Sequence, residues 1–214
     1  MKYLNLTFLV FMITFFSACS SKQPLNLNEI NSISLNKNIV VAGIPQTYQY
    51  PISVGIGVGG MVSHHVGIGI NTFFTPEFSN NEDLRLQDTY YKNNILLSNM
   101  IENEFKFQMK NDEVFKNKFT PFGSDYTIYL YVPKYSLENA TFSSKVQIKM
   151  IIELKVIDKN NNIIYQDKKD NILFSDNYIY NESEIFYSKD ALIKASNLAI
   201  RQIVARLILD MKKN

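Results

Sequence analysis

Cysteine is nearly absent: Cys19 is the only one in 214 residues, so no disulfide can form within one chain. An oxidising compartment would therefore neither support nor threaten the fold. Histidine is limited to the adjacent pair His64-His65. Neighbouring positions on a strand point to opposite faces, so the two chelate one metal poorly, and no thiol or carboxylate cluster lies close by. We read them as polar turn residues and expect no metal site. A serine hydrolase would need its base from that turn and a G-x-S-x-G elbow, which is missing. P-loop, dinucleotide fingerprint and paired-carboxylate motifs are missing as well, so no catalytic residue, cofactor or enzymatic activity is expected. Glu102-Glu104, Glu182-Glu184 and Asp167-Asp170 read as solvated faces and turns. Tryptophan is absent, and charge is almost balanced, with 22 basic against 20 acidic residues. That balance lacks the basic stripe nucleic acid requires.

What the chain does have begins at its N-terminus. Lys2 precedes a charge-free run of about 16 residues, shorter than the ~20 a membrane-spanning helix needs. The run ends Phe15-Phe16-Ser17-Ala18, with small residues before Cys19. This is a signal peptide over residues 1–18 with a cleavage site. Phe16-Ser17-Ala18-Cys19 resembles the lipobox of bacterial lipoproteins, with Phe16 where Leu is usual. The resemblance implies a diacylglycerol thioether on Cys19, a palmitate-type chain on the new amino terminus, and attachment to a membrane through that lipid. More than one chain is what stable anchoring takes. Ser20 stands where an Asp would imply retention at the inner membrane. The implied place is therefore the outer membrane, on its periplasmic face.

Cleavage before Cys19 leaves 196 residues, enough for one domain with an appendage. Residues 19–45 are polar with no strong period and read as a lipidated tether, although Val40-Val41 is where a strand could begin. Residues 46–76 carry most of the glycine: six of the eight lie between Gly55 and Gly69. One arm runs through Ile52, Val54, Gly55, Ile56, Gly57 and Val58, the other through Gly67, Ile68, Gly69 and Ile70. Period-two alternation of β-branched and bare positions predicts a Gly-rich β-hairpin. Three uses of it stay open. It can lie on the body's own sheet, contact a partner or further copies in a homo-oligomer, or enter a membrane as part of a ring of protomers, since one hairpin cannot close a barrel. Residues 77–91, with Glu82, Asp83, Arg85 and Asp88, read as a linker.

Residues 92–214 read as the folded body. Leu97, Ile101, Phe105 and Met109 recur at helical spacing, with Met100 and Phe107 beside them. Tyr126, Ile128, Leu130 and Val132 alternate as a strand that Pro133 is expected to end. Tyr126, Tyr129, Tyr131 and Tyr135 either line a ligand groove or pack ordinarily. Val146, Ile148, Met150, Ile152, Leu154 and Val156 define one face of a long strand, with Gln147, Lys149, Glu153 and Lys155 on the other. Asn-rich residues 158–162 turn the chain into Ile163–Asp167, and Asn171–Tyr180 is placed as a further strand. Ser188 caps a last helix whose stripe is Ile193, Ile200, Ile203, Val204, Leu207 and Met211. The fold class is α+β: an antiparallel sheet of three to four strands, two helices on one face, and the N-terminal hairpin.

This order resembles the YajG-like family of small outer-membrane lipoproteins. The residues that carry the likeness are the helix at 95–102, the strand Tyr126–Val132, the long strand Lys145–Val156 with its Asn-rich turn, and the helix Ala191–Met211. The layout is also similar to ABC-transport auxiliary lipoproteins and to LptE. It implies a non-catalytic scaffold or accessory subunit working with other envelope proteins. An export or channel subunit and an accessory in lipid or lipopolysaccharide transport remain the alternatives. The glycine hairpin has no counterpart in those families.

Overall fold

The computed structural model describes residues 25–42, 81–139, 145–172 and 180–213. Among the described residues it is an α+β layer: a five-stranded mixed sheet with four helices, the long α4 lying across its inner face. The strands are β1 (Ile33–Leu35), β2 (Val40–Val41), β3 (Tyr126–Asn139), β4 (Val146–Asp158) and β5 (Ile163–Asp170). The helices are α1 (Asn81–Lys92), α2 (Leu97–Asn111), α3 (Glu182–Tyr187) and α4 (Lys189–Lys212).

The expected antiparallel part is the meander β3-β4-β5. The sheet differs from expectation at its edge, where β1 and β2 both run parallel to β3. The polar stretch read as a tether is thus part of the body from Leu25 onward. Leu25, Ile30, Ile33, Leu35, Ile39 and Val41 all belong to the core. β1, with three residues, all buried, is too short to show a period of two, whereas β2 forms at Val40-Val41, where a strand start is expected. The stretch read as a linker also differs: most of it is helix α1. Its average is polar, and its inward face rests on Leu86 and Tyr90, one turn apart, joined by buried Asp83 and Thr89. Two apolar residues among charges leave little helical signal.

Proline 133 does not end β3. The strand continues to Asn139, and pairing with β4 slips between Tyr131 and Lys134, leaving one extra residue on β3. A bulge is where a strand accepts a residue with no N–H to give. The extra residue also resets which face the chain presents. Ile128, Leu130 and Val132 face the core before it, and Tyr135 and Leu137 after it. Without it, a one-residue slip would turn the second half of the strand inside out.

β4 follows the expected alternation: Val146, Ile148, Met150, Ile152, Leu154 and Val156 are all buried. Its other face is less wet than expected, since Gln147 and Lys155 are also buried. Leu97, Ile101, Phe105 and Met109 are the buried stripe of α2, whereas Phe107 is exposed. The stripe of α4 is wider than expected and includes Leu192, Ala195, Ser196, Ala199 and Ile208. Its small residues let α4 lie close to β4. Ser188 Oγ accepts the Ala191 N–H at 3.3 Å, as a cap should. Asn171 does continue the β4 edge, through its side chain. Its Nδ2 donates to the Ile148 carbonyl, and its Oδ1 accepts the Met150 N–H, both at 2.8 Å. Tyr180 forms an antiparallel bridge to Val146, two residues further along that edge, and residues 173–179 of the expected strand lie outside the described residues.

Candidate functional site

Cys19, His64, His65 and the hairpin residues Ile52, Val54, Gly55, Ile56, Gly57, Val58, Gly67, Ile68, Gly69 and Ile70 lie outside the described residues. What is described is the place where the chain that follows Cys19 enters the body. Leu25 is 1% exposed and sits in the core. The Lys118 ammonium donates to the Leu27 and Ile30 carbonyls at 3.1 and 2.5 Å and satisfies the turn between them. Ile33 N–H donates to the Lys118 carbonyl, and Thr120 N–H to the Ile33 carbonyl, at 2.8 and 2.9 Å. The N-terminal segment is therefore tied to residues 118–126.

The loop over those residues has a defined shape. Pro121 precedes an exposed Phe122, and Gly123 follows at φ +71°, a conformation that other residues adopt only under strain. Ser124 Oγ bonds Ser34 Oγ at 2.7 Å and donates to the Tyr126 carbonyl at 2.6 Å. Asp125 accepts from Ser32 Oγ at 3.1 Å and pairs with Lys159 at 2.6 Å. Hydrogen bonds from Lys159 and then Ser32 hold the Asp125 carboxyl below the ordinary range.

A second cluster joins β5 to the end of α4. Tyr165, Asp167 and Lys169 share the core face of β5 with Val156, Leu154 and Ile152 of β4. Lys169 Nζ lies 3.0 Å from Asp167 and 2.5 Å from Asp210, and Asp210 also meets Lys213 at 2.7 Å. Asp167, expected on a solvated turn, has a fully buried side chain. The sequence signal is a charged residue in register with the apolar face of its partner strand. Burial opposes the Lys169 charge, but the hydrogen bonds it donates to Asp210 and Asp167 outweigh that and raise its pKa. Hydrogen bonds from Lys169 and then Lys213 hold Asp210 at about 2. Desolvation, then the Asp167 and Asp210 charges, push the Tyr165 phenol up. Every one of these shifts moves the group away from neutrality, where an acid–base catalyst is best poised. The cluster locks charge and ties β5 to α4.

The four tyrosines do not share a groove. Tyr131 packs with Val40 and Ala42 on the outer sheet face, while Tyr135 is buried among the core residues of the inner face. Tyr135 meets Tyr90 edge to face, with ring centroids 5.6 Å apart. The Tyr90 and Ser196 hydroxyls lie 2.6 Å apart, and Ser196 donates to the Leu192 carbonyl. Among the described residues, no group of three or more His, Cys, Asp or Glu could hold a metal ion. Among them also, no helix is long and apolar enough to cross a membrane.

No protein-family model and no curated protein matches the chain. Solved structures give a distant likeness. A candidate lipoprotein of Caulobacter crescentus is 13% identical over 54% of this chain and 80% of its own, with a TM-score of 0.36. A DUF330 protein of Xanthomonas campestris is 12% identical over 87% and 84%, with a TM-score of 0.44. A homologue of neuraminyllactose-binding hemagglutinin from Helicobacter pylori is 11% identical over 91% and 89%, with a TM-score of 0.38. At these scores none lends its role, ligand or partner to this chain.

Proposed function

We propose that this chain is a non-catalytic lipoprotein of the outer membrane, facing the periplasm, that serves as a scaffold or accessory subunit of an envelope complex. The observation that carries the reading is Phe16-Ser17-Ala18-Cys19: a lipobox-like sequence whose thiol is the only one in the chain. Two features of the body support it. Leu25, the first of the described residues, is buried and follows Cys19 closely, as in a domain held at a surface. The body's buried ion cluster has its pKa values driven away from neutrality, which suits structure better than chemistry. Partners on this reading are the bilayer, through the N-terminal lipid, and other envelope proteins, further copies of the chain included.

Fractionation of envelopes on a density gradient tests it. The unaltered chain is expected with outer-membrane fractions, and a Cys19→Ser chain in the soluble periplasm. The same location for both chains, or a cytosolic one for the unaltered chain, refutes the reading. Pull-down from native outer membranes is expected to retrieve envelope proteins with the anchored chain.

A further inference from the structure

We infer that the Phe122 loop is a second membrane contact: it seats the anchored body on the bilayer with the Tyr126–Asp158 end of the sheet downward. This rests on the lipid at Cys19 proposed above and adds an orientation to it.

Reach comes first. Five residues separate Cys19 from Leu25, and an extended chain spans at most about 3.3–3.6 Å per residue step, so the lipid attachment lies within about 22 Å of Leu25. Leu25 is in the core and cannot travel to extend that reach. The body therefore rests beside the membrane, at the end where residues 25–33 meet residues 118–126.

Phe122 is 76% exposed at that same end. Exposed apolar residues are common singly and need no explanation by themselves. This one is held out by Pro121 and by Gly123 in the left-handed region, on a stem fixed through Ser32, Ser34 and Lys159. Ile163, 44% exposed, opens β5 at the same end, just after the turn that follows Asp158. An aromatic ring on a rigid tip suits the boundary between headgroups and acyl chains. Of the cations there, Lys159 is paired with Asp125 and Lys212 with Asp112, and Lys118 is bonded to the Leu27 and Ile30 carbonyls. The far end is marked by Tyr187, 83% exposed on α3. It follows Tyr180, which bridges Val146 at the opposite end of a 13-residue strand about 40 Å long.

The chain has no tryptophan, so Phe122→Trp and Tyr187→Trp each supply one fluorescent reporter. Each acylated variant, purified from membranes, is reconstituted into phosphatidylethanolamine–phosphatidylglycerol vesicles with and without brominated acyl chains. Indole emission from the Phe122→Trp variant is expected to shift to shorter wavelength and to be quenched by brominated lipid. Emission from the Tyr187→Trp variant is expected to do neither. Mass spectrometry of the same samples reports the acylation of Cys19. Water-like, unquenched emission from the Phe122→Trp variant on an acylated protein overturns the seating and leaves the anchor standing. Equal quenching in both variants overturns it too. An unmodified Cys19 overturns the anchor and the orientation together.

Discussion

Replacing Lys169 by Met removes the cation between Asp167 on β5 and Asp210 on α4 while keeping most of the side-chain volume. Asp210 is held at about 2 against an ordinary 3.8, which corresponds to about 2 kcal/mol of folded-state stabilisation at neutral pH. Lys213 supplies part of that. The contact of Lys169 with the buried Asp167 adds to what is lost, and breaking a fully buried pair costs about 3–5 kcal/mol. Asp210 is a quarter exposed, which lowers the figure. We expect a net loss of about 2–3 kcal/mol at pH 7, from urea unfolding of the signal-less Cys19→Ser chain. The loss should depend on pH. A carboxylate whose folded pKa is depressed stabilises above its unfolded pKa, and that contribution disappears as pH falls from about 4 to about 2. The gap between the two proteins should therefore be full at pH 7 and narrow below pH 4. A gap under about 0.5 kcal/mol at pH 7, or one unchanged at pH 3, would refute the reasoning.

Other substitutions probe the packing. Ile152→Ala, at a fully buried position on β4, should cost about 2–5 kcal/mol with an unchanged denaturant slope. Deleting Pro133 should abolish cooperative unfolding by turning Tyr135 and Leu137 out of the core, whereas Pro133→Ala keeps the residue count and should cost under about 1 kcal/mol. Ser188→Ala should lower the midpoint by an amount equivalent to about 1 kcal/mol through the lost cap of α4.

The elements that sequence made legible are those whose burial follows one period. β4 and α2 each place a single apolar face against a single layer, so alternation and the 3.6 repeat show through. α1 is hidden because its buried face includes Asp83 and Thr89, which count as polar in any pattern. β1 is hidden because parallel pairing on a long neighbour needs only a few residues, whereas β2 falls at Val40-Val41, where the sequence already offers a strand start. The bulge at Pro133 is hidden because a proline in an alternating run reads as a stop unless its partner strand is known. The buried ion cluster is illegible for a related reason. Asp167 and Lys169 look like hairpin decoration until β4 fixes their register and α4 brings Asp210 from 41 residues away. The candidate site divides the same way. The lipobox-like signal at Cys19 is legible because it is local and contiguous, whereas the Phe122 loop gains meaning only once Leu25 is seen to be buried and residues 27–34 to be bonded to residues 118–126.

The account stands on acyl chains at residue 19, and the intact mass of the N-terminal peptide from native envelopes tests that most directly. The predicted result is a peptide beginning at Cys19 that carries a diacylglycerol thioether and an amide-linked acyl chain. A peptide that retains residues 1–18, or that begins at Cys19 with a free thiol and amine, would contradict it.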